Sequence, residues 1–162
     1  VHAVGTPIPA SASLALYDRS FGAYPYHEFD LVETIQGEGP FAGRPATFVR
    51  LWGCHLACTF CDTDFESQRV GSPVDALVAQ CQTYGHRLVV LTGGEPMRQD
   101  IRLLCAALVA HHHQVQIETA GSVWVQGLDL LDDVHIVVSP KTHVVAEQVR
   151  LFADAWKTAP GA

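Results

Sequence analysis

Along most of its length the chain repeats one pattern. A short apolar run is followed by a polar loop, and the loop leads into a stretch whose apolar residues recur at helical spacing. Residues 46–52 (ATFVRLW) are β-branched and aromatic, as a strand requires. Residues 88–91 (LVVL) form the continuous apolar run of a strand buried on both faces. Residues 115–117 (VQI) and 135–138 (HIVV) are strand-like, and 27–36 (HEFDLVETIQ) hold a further short strand. Val74, Leu77, Val78 and Cys81 recur at i, i+3, i+4 and i+7, which predicts one buried helical stripe. Ser72 is its expected N-cap, Pro73 its first turn and Gly85 its end. A second helix over about 100–110 puts Ile101, Leu104, Cys105 and Leu108 on one face, and a short helical turn is expected at 128–131. A last helix over about 144–157 puts Val145, Val149, Phe152 and Trp156 on one side.

Strands alternating with helices predict an α/β fold in which crossovers build a parallel sheet. Four polar loops each follow a strand directly: the cysteine loop after Gly53, then Thr92-Gly93-Gly94-Glu95-Pro96, Glu118-Thr119-Ala120-Gly121, and Ser139-Pro140-Lys141. Ligand sites of parallel α/β sheets lie beyond the carboxyl ends of the strands, so the four loops should share one site. Residues 1–23 are rich in small residues without a clear period and are expected to be a flexible leader; 24–162 form one domain.

Composition narrows the class. At 162 residues with 48% hydrophobic and 17% charged content, the chain is globular and can bury a core of its own. A net charge of −7 argues against a nucleic-acid surface, which usually carries a basic stripe. No apolar run approaches the roughly 20 residues of a membrane helix. The N-terminal stretch lacks the basic start of a secretory signal, and Pro7 and Pro9 interrupt any apolar core for one. A reducing cytoplasm is the expected compartment, where clustered cysteines indicate metal binding or catalysis.

The chemistry centres on Cys54, Cys58 and Cys61, spaced C-x3-C-x2-C. Thiolates are soft ligands that select zinc, copper(I) or iron–sulfur clusters. Cys81 and Cys105 fall on helical core stripes and make poor fourth ligands. Three cysteines on a four-iron cluster leave one iron open for a small chelating ligand, such as the amino acid end of S-adenosylmethionine. A structural zinc loop closed by His55 is the alternative. The glycines of TGGEP let backbone approach a ligand, or simply form a turn before Pro96. Arg50 could pair with a substrate carboxylate or make an ordinary strand-face ion pair. Lys141 suits an anionic ligand, or solvent. Asp62 and Thr63 offer hard oxygens to magnesium, or a cap to the next turn. His111, His112 and His113 suit a helix C-terminus better than a metal, since adjacent residues point to different faces.

Taken together, TIQGEGPFAGRPATFVRLWGCHLACTFCDT, LVVLTGGEP, QIETAG and VVSPK resemble the 7-carboxy-7-deazaguanine synthase family, radical S-adenosylmethionine enzymes of queuosine and deazapurine biosynthesis. The resemblance runs from about Glu33 to Lys141. It implies that Cys54, Cys58 and Cys61 hold a [4Fe-4S] cluster. Phe60, Asp62, Gly94, Ser139, Pro140 and Lys141 would bind S-adenosylmethionine. Ile35, Gln36, Gly37, Arg50 and Thr92 would bind substrate, and Thr63 a magnesium ion. The implied reaction converts 6-carboxy-5,6,7,8-tetrahydropterin to 7-carboxy-7-deazaguanine with loss of ammonia, through a 5′-deoxyadenosyl radical. The implied fold is an incomplete, modified (β/α) barrel, the implied assembly a homodimer, and the implied electron donor a protein such as flavodoxin.

Two departures accompany the resemblance. Ala120 stands where the family usually has an asparagine amide, and the chain ends about 20 residues after Lys141, so the expected barrel is truncated at its C-terminal end. Two other readings compete: a small activating enzyme that makes a glycyl radical on a partner, and a metal-stabilised binding domain without catalysis.

Overall fold

The computed structural model describes residues 25–61 and 71–157, with side chains from Asp30 onward. The expected leader, Asp62 and Thr63 lie outside the described residues. Within them the strands are β1 (Pro25–Ile35), β2 (Pro45–Leu51), β3 (Gly71–Pro73), β4 (Leu88–Gly93), β5 (Gln114–Thr119), β6 (Val134–Val138) and β7 (Ala155–Trp156). They form one sheet in the order β3-β1-β2-β4-β5-β6-β7. Strands β2, β4, β5, β6 and β7 run parallel, as the alternation predicts. β1 pairs antiparallel with β2, and β3 antiparallel with β1. The reason lies in the connection 36–44, which is shorter than the dozen or so residues a parallel crossover needs. Among the described residues the sheet runs from edge β3 to edge β7 without closing into a barrel.

The helices are α1 (Val74–Tyr84), α2 (Arg102–Ala110) and α3 (Glu147–Phe152). α1 buries the expected stripe of Val74, Leu77, Val78 and Cys81, and Gly85 ends it in the left-handed region at φ 74°. Ser72 is not its cap. It pairs with Tyr26 in β3, leaving Pro73 at the N-cap position without a side-chain cap. The helix expected over 144–157 is also corrected: α3 spans six residues, and the chain then returns to the sheet. Asp154 explains the switch. Its backbone N–H donates to Ile136 O at 2.8 Å, and its carboxylate accepts the Ile136 N–H at 2.7 Å. Backbone caught in this way at the β6 edge extends into β7, so Trp156 is exposed instead of packed on a helical face. Val149 remains fully buried, and Phe152 stacks on Trp124 with ring centroids 5.6 Å apart.

Each strand side chain alternates between two unlike layers. Val49, Leu51, Val89, Leu91, Val115, Ile117, Ile136 and Val138 share the main core with the apolar stripes of α1 and α2. Ala46, Leu88 and Val90 belong to a smaller cluster with Phe41 and Phe48. The connection 36–44 lies over this second layer: a Cβ on Gly39 would sit 2.6 Å from Val137 Cγ2 and 3.3 Å from Gln116 Oε1. The helix layer is thus apolar, while the second layer carries polar side chains toward the strand ends.

Candidate active site

The four strand-end loops meet. A cleft of about 280 Å³ is lined by Cys54, Leu56, Cys58, Phe60 and Cys61 after β2, by Thr92, Gly93 and Gly94 at the end of β4, by Glu118, Thr119 and Ala120 at the end of β5, and by Ser139 and Lys141 after β6. Lys157, just past β7, completes the lining.

The cysteine loop is held from outside. Arg98 Nη1 donates to Cys54 O at 3.2 Å, Gln99 Nε2 donates to Trp52 O at 3.2 Å, and His55 Nε2 lies 2.8 Å from Ser122 Oγ. Within the loop, Leu56 N–H donates to Cys54 Sγ at 3.4 Å and Cys61 N–H to Cys58 O at 3.1 Å. Cys54 and Cys58 are partly exposed and Cys61 is exposed, whereas Cys81 and Cys105 are buried in the core. Burial pushes the Cys105 thiol up, a proximity to Asp100 adds to the effect, and the proton stays on. Among the described residues no three His, Cys, Asp or Glu side chains converge closely enough for one metal ion. Cys54, Cys58 and Cys61 all line the same cleft, whereas His55 does not.

The glycines of TGGEP line the cleft and also make a close backbone approach. A Cβ on Gly93 would lie 2.2 Å from Leu51 O, and one on Gly94 would lie 2.1 Å from Gly53 O. Their missing side chains let the β4 end lie against the backbone that leads into the cysteine loop. Gly94 N–H donates to Leu51 O at 3.0 Å and Glu95 N–H to Gly53 O at 2.9 Å. Glu95 itself is buried and accepts from Thr119 Oγ1 at 2.6 Å, Ala120 N–H at 2.8 Å and Met97 N–H at 3.1 Å. Burial raises its pKa above the ordinary value, and these hydrogen bonds offset only part of that rise. The TGGEP loop therefore ties the cysteine loop on one side to the β5 end on the other.

The opposite end of the cleft is a charged network that sequence reasoning missed. Glu118 Oε1 accepts from Gln36 Nε2 at 2.9 Å and from Gln116 Nε2 at 3.3 Å. Lys157 Nζ is 3.4 Å from Glu118 Oε2 and also pairs with Glu38. Burial lowers the Lys157 pKa from its ordinary value. The available signal was the period-2 polar series Gln114, Gln116, Glu118 alternating with Val115 and Ile117, which sets one strand face apart as polar.

Of the residues expected at a site, Cys54, Cys58, Phe60, Cys61, Thr92, Gly94, Ser139 and Lys141 line the cleft together. Lys141 donates to Ser139 Oγ at 2.8 Å and lies 5.7 Å over the Phe60 ring. Pro140 links its two lining neighbours. Ile35, Gln36, Gly37 and Arg50 do not line it. Gln36 is buried behind Glu118, Ile35 is exposed, and Arg50 pairs with Asp30 at 3.6 Å with its side chain 51% exposed. His113 is buried, its Nδ1 3.0 Å from His86 O, while His111 Nδ1 meets Ala107 O at 2.9 Å, so the two bind helix-end and loop carbonyls.

No protein-family model matches the chain. Individual relatives do. The chain is 47% identical over 127 residues to the 7-carboxy-7-deazaguanine synthase of Rhodospirillum rubrum, covering 76% of this chain and 54% of that one. It is 44% identical over 119 residues to the synthase of Rickettsia prowazekii, covering 68% and 49%. It is 43% identical over 118 residues to that of Hyperthermus butylicus, covering 69% and 50%. The crystal structure of QueE from Escherichia coli superposes with a TM-score of 0.76 at 29% identity, covering 85% of this chain and 72% of that one. Over the residues they share, the chain is a homologue of proteins named 7-carboxy-7-deazaguanine synthase. It spans about half the length of the curated synthases it matches. The α/β architecture with its mostly parallel sheet is common to this chain and the QueE structure. No helix among the described residues is long and apolar enough to cross a membrane.

Proposed function

We propose that this chain is a radical S-adenosylmethionine enzyme, a 7-carboxy-7-deazaguanine synthase. The reaction is conversion of 6-carboxy-5,6,7,8-tetrahydropterin to 7-carboxy-7-deazaguanine with loss of ammonia, in queuosine or other 7-deazapurine biosynthesis. One observation carries the reading: three thiols after β2 face, across a single cleft, the ends of β4, β5 and β6.

Cys54, Cys58 and Cys61 would hold a [4Fe-4S] cluster with one iron left for S-adenosylmethionine. When bound, the two together supply the one-electron chemistry that removes a hydrogen atom from an unactivated carbon. The chain's own residues bind and orient. Gly94, Ser139, Pro140, Lys141, Phe60 and Asp62 would hold S-adenosylmethionine. Lys141, braced by Ser139 and set over the Phe60 ring, is a cation suited to a carboxylate. Leu56 and Phe60 give the cysteine side of the cleft an apolar wall that limits water at the reacting carbon. Thr92 and Glu118 supply polar contacts at the substrate end. Arg50, Ile35, Gln36 and Gly37 would join them, with Arg50 exchanging Asp30 for the substrate carboxylate. Thr63 would hold magnesium.

The same reading takes the sheet as an incomplete barrel, the active assembly as a homodimer, the electron donor as a protein such as flavodoxin, and the compartment as cytoplasm. The shared pattern of strand-end motifs supports it. The test is anaerobic turnover. After reconstitution with iron and sulfide, the chain should form 7-carboxy-7-deazaguanine from the pterin in the presence of S-adenosylmethionine, magnesium and a low-potential reductant. A fully loaded chain, assayed together with one extended at its C-terminus, that yields no deazaguanine in either form would sink the proposal.

A further inference from the structure

The charged end of the cleft has a division of labour that the reaction alone does not specify. Glu118 and Lys157 both line the cleft, whereas Gln36, Gln116 and Glu38, which touch them, do not. Glu118 Oε1 already takes two amide donors from behind, and Oε2 faces Lys157. A carboxylate offers about four acceptor sites, so three contacts leave room for another donor from the open side. The Glu118 side chain is only 16% exposed, so its orientation is set by the groups packed against it, among them one cation. Lys157 is that cation. Its own position is fixed by the sheet: its backbone N–H donates to Val138 O at 2.7 Å, and its Nζ is held on the other side by Glu38. The ligand chemistry that fits this remaining acceptor site is a single N–H donor, such as an amino or ring N–H of a pterin's pyrimidinone.

Resting on the function proposed above, we infer that Lys157 is a positioning residue that holds the Glu118 carboxylate aimed at an N–H of the pterin ring. Lys157 acts through Glu118 and not on the substrate carboxylate. Arg50 and Lys157 therefore answer to different ends of one ligand.

Two stable oxidised probes separate the ends: 6-carboxypterin, and pterin, which lacks the carboxylate. Each is titrated into the reconstituted full chain, following quenching of pterin fluorescence, with iron content and thermal midpoint measured on the same samples. Lys157→Met is expected to weaken both probes by about tenfold, a coupling of the size seen between contacting charged groups. Lys157→Arg should restore binding to within about threefold. In a Glu118→Gln background, Lys157→Met should add no further loss, while iron content stays that of the wild type.

Four results would overturn the inference: wild-type affinity in Lys157→Met, loss confined to 6-carboxypterin, additive losses in the double variant, or no binding of either probe to the wild-type chain. Should Lys157→Met not fold, Glu118→Gln alone must weaken both probes about tenfold and Lys157→Arg must not. Anything else rejects the idea. A wild-type chain that binds both probes yet forms no deazaguanine would count against the proposed reaction and leave the role of Lys157 standing.

Discussion

A methyl group on Gly94 would stand 2.1 Å from the carbonyl oxygen of Gly53. The two backbones are in contact, and one of them leads directly into Cys54. Gly94→Ala should therefore push the β4 end away from the cysteine loop, destabilising the fold by about 1–3 kcal/mol or more and lowering the iron retained per chain. Gly37 is the control: its Cβ would meet nothing within 4 Å, so Gly37→Ala should leave the thermal midpoint unchanged. Thermal melts and iron analysis on both variants check the contrast.

The cysteines divide into two classes by burial. Replacing Cys54, Cys58 and Cys61 with Ala should remove essentially all reconstituted iron and sulfide and the brown absorbance. Cys81→Ala and Cys105→Ala should keep the metal, since both thiols are enclosed in the apolar core. They should cost about 1–2 kcal/mol of stability instead, as the loss of a small buried group does.

Acid should weaken the fold through His113. Its imidazole is buried, Nε2 has no hydrogen-bond partner among the described residues, and burial lowers its pKa from the ordinary value of 6.5. The unfolded chain then takes up a proton near pH 6.5 that the folded chain still refuses. Stability from this group is present above pH 6.5 and falls as the pH drops from there through the lowered folded value. His113→Asn keeps a donor for His86 O but removes the titration. Urea melts at pH 7.5 and pH 5.5 should show a smaller acid loss in the variant than in the wild type.

Arg50 sits in a half-exposed pair with Asp30, so Arg50→Met should change stability by less than about 1 kcal/mol. If its task is the substrate carboxylate, the same variant should raise KM for the carboxylated pterin at least tenfold. Thermal melts beside steady-state kinetics separate the two effects, and unchanged KM would remove Arg50 from the substrate site.

Much of this arrangement was legible in the sequence because it is local. The apolar run 88–91 and the stripe of Val74, Leu77, Val78 and Cys81 announce β4 and α1 through periodicity alone. Loops placed directly after strands announced a shared cleft. What was not legible depends on partners far along the chain. Nothing near Trp156 signals that the Asp154 backbone will be captured by Ile136, so the expected helix was too long. Ser72 has the chemistry of an N-cap but is claimed by pairing with Tyr26. Lys157 reads as an ordinary charged residue until β7 brings it to the cleft, and the contact of the TGGEP glycines with the β2 backbone shows only in the fold.

The braces around the cleft also set an order of events. His55 meets Ser122 across 67 residues, Gln36 meets Glu118 across 82, and Lys157 meets Glu118 across 39. Contacts of such separation form late, after loop closure has been made good by the core. The cleft is therefore absent from a chain still emerging or only collapsed, however early the three cysteines are synthesised. Metal loading would follow folding, and the rate at which brown colour appears on refolding with iron and sulfide should track closure of the sheet instead of the encounter with metal.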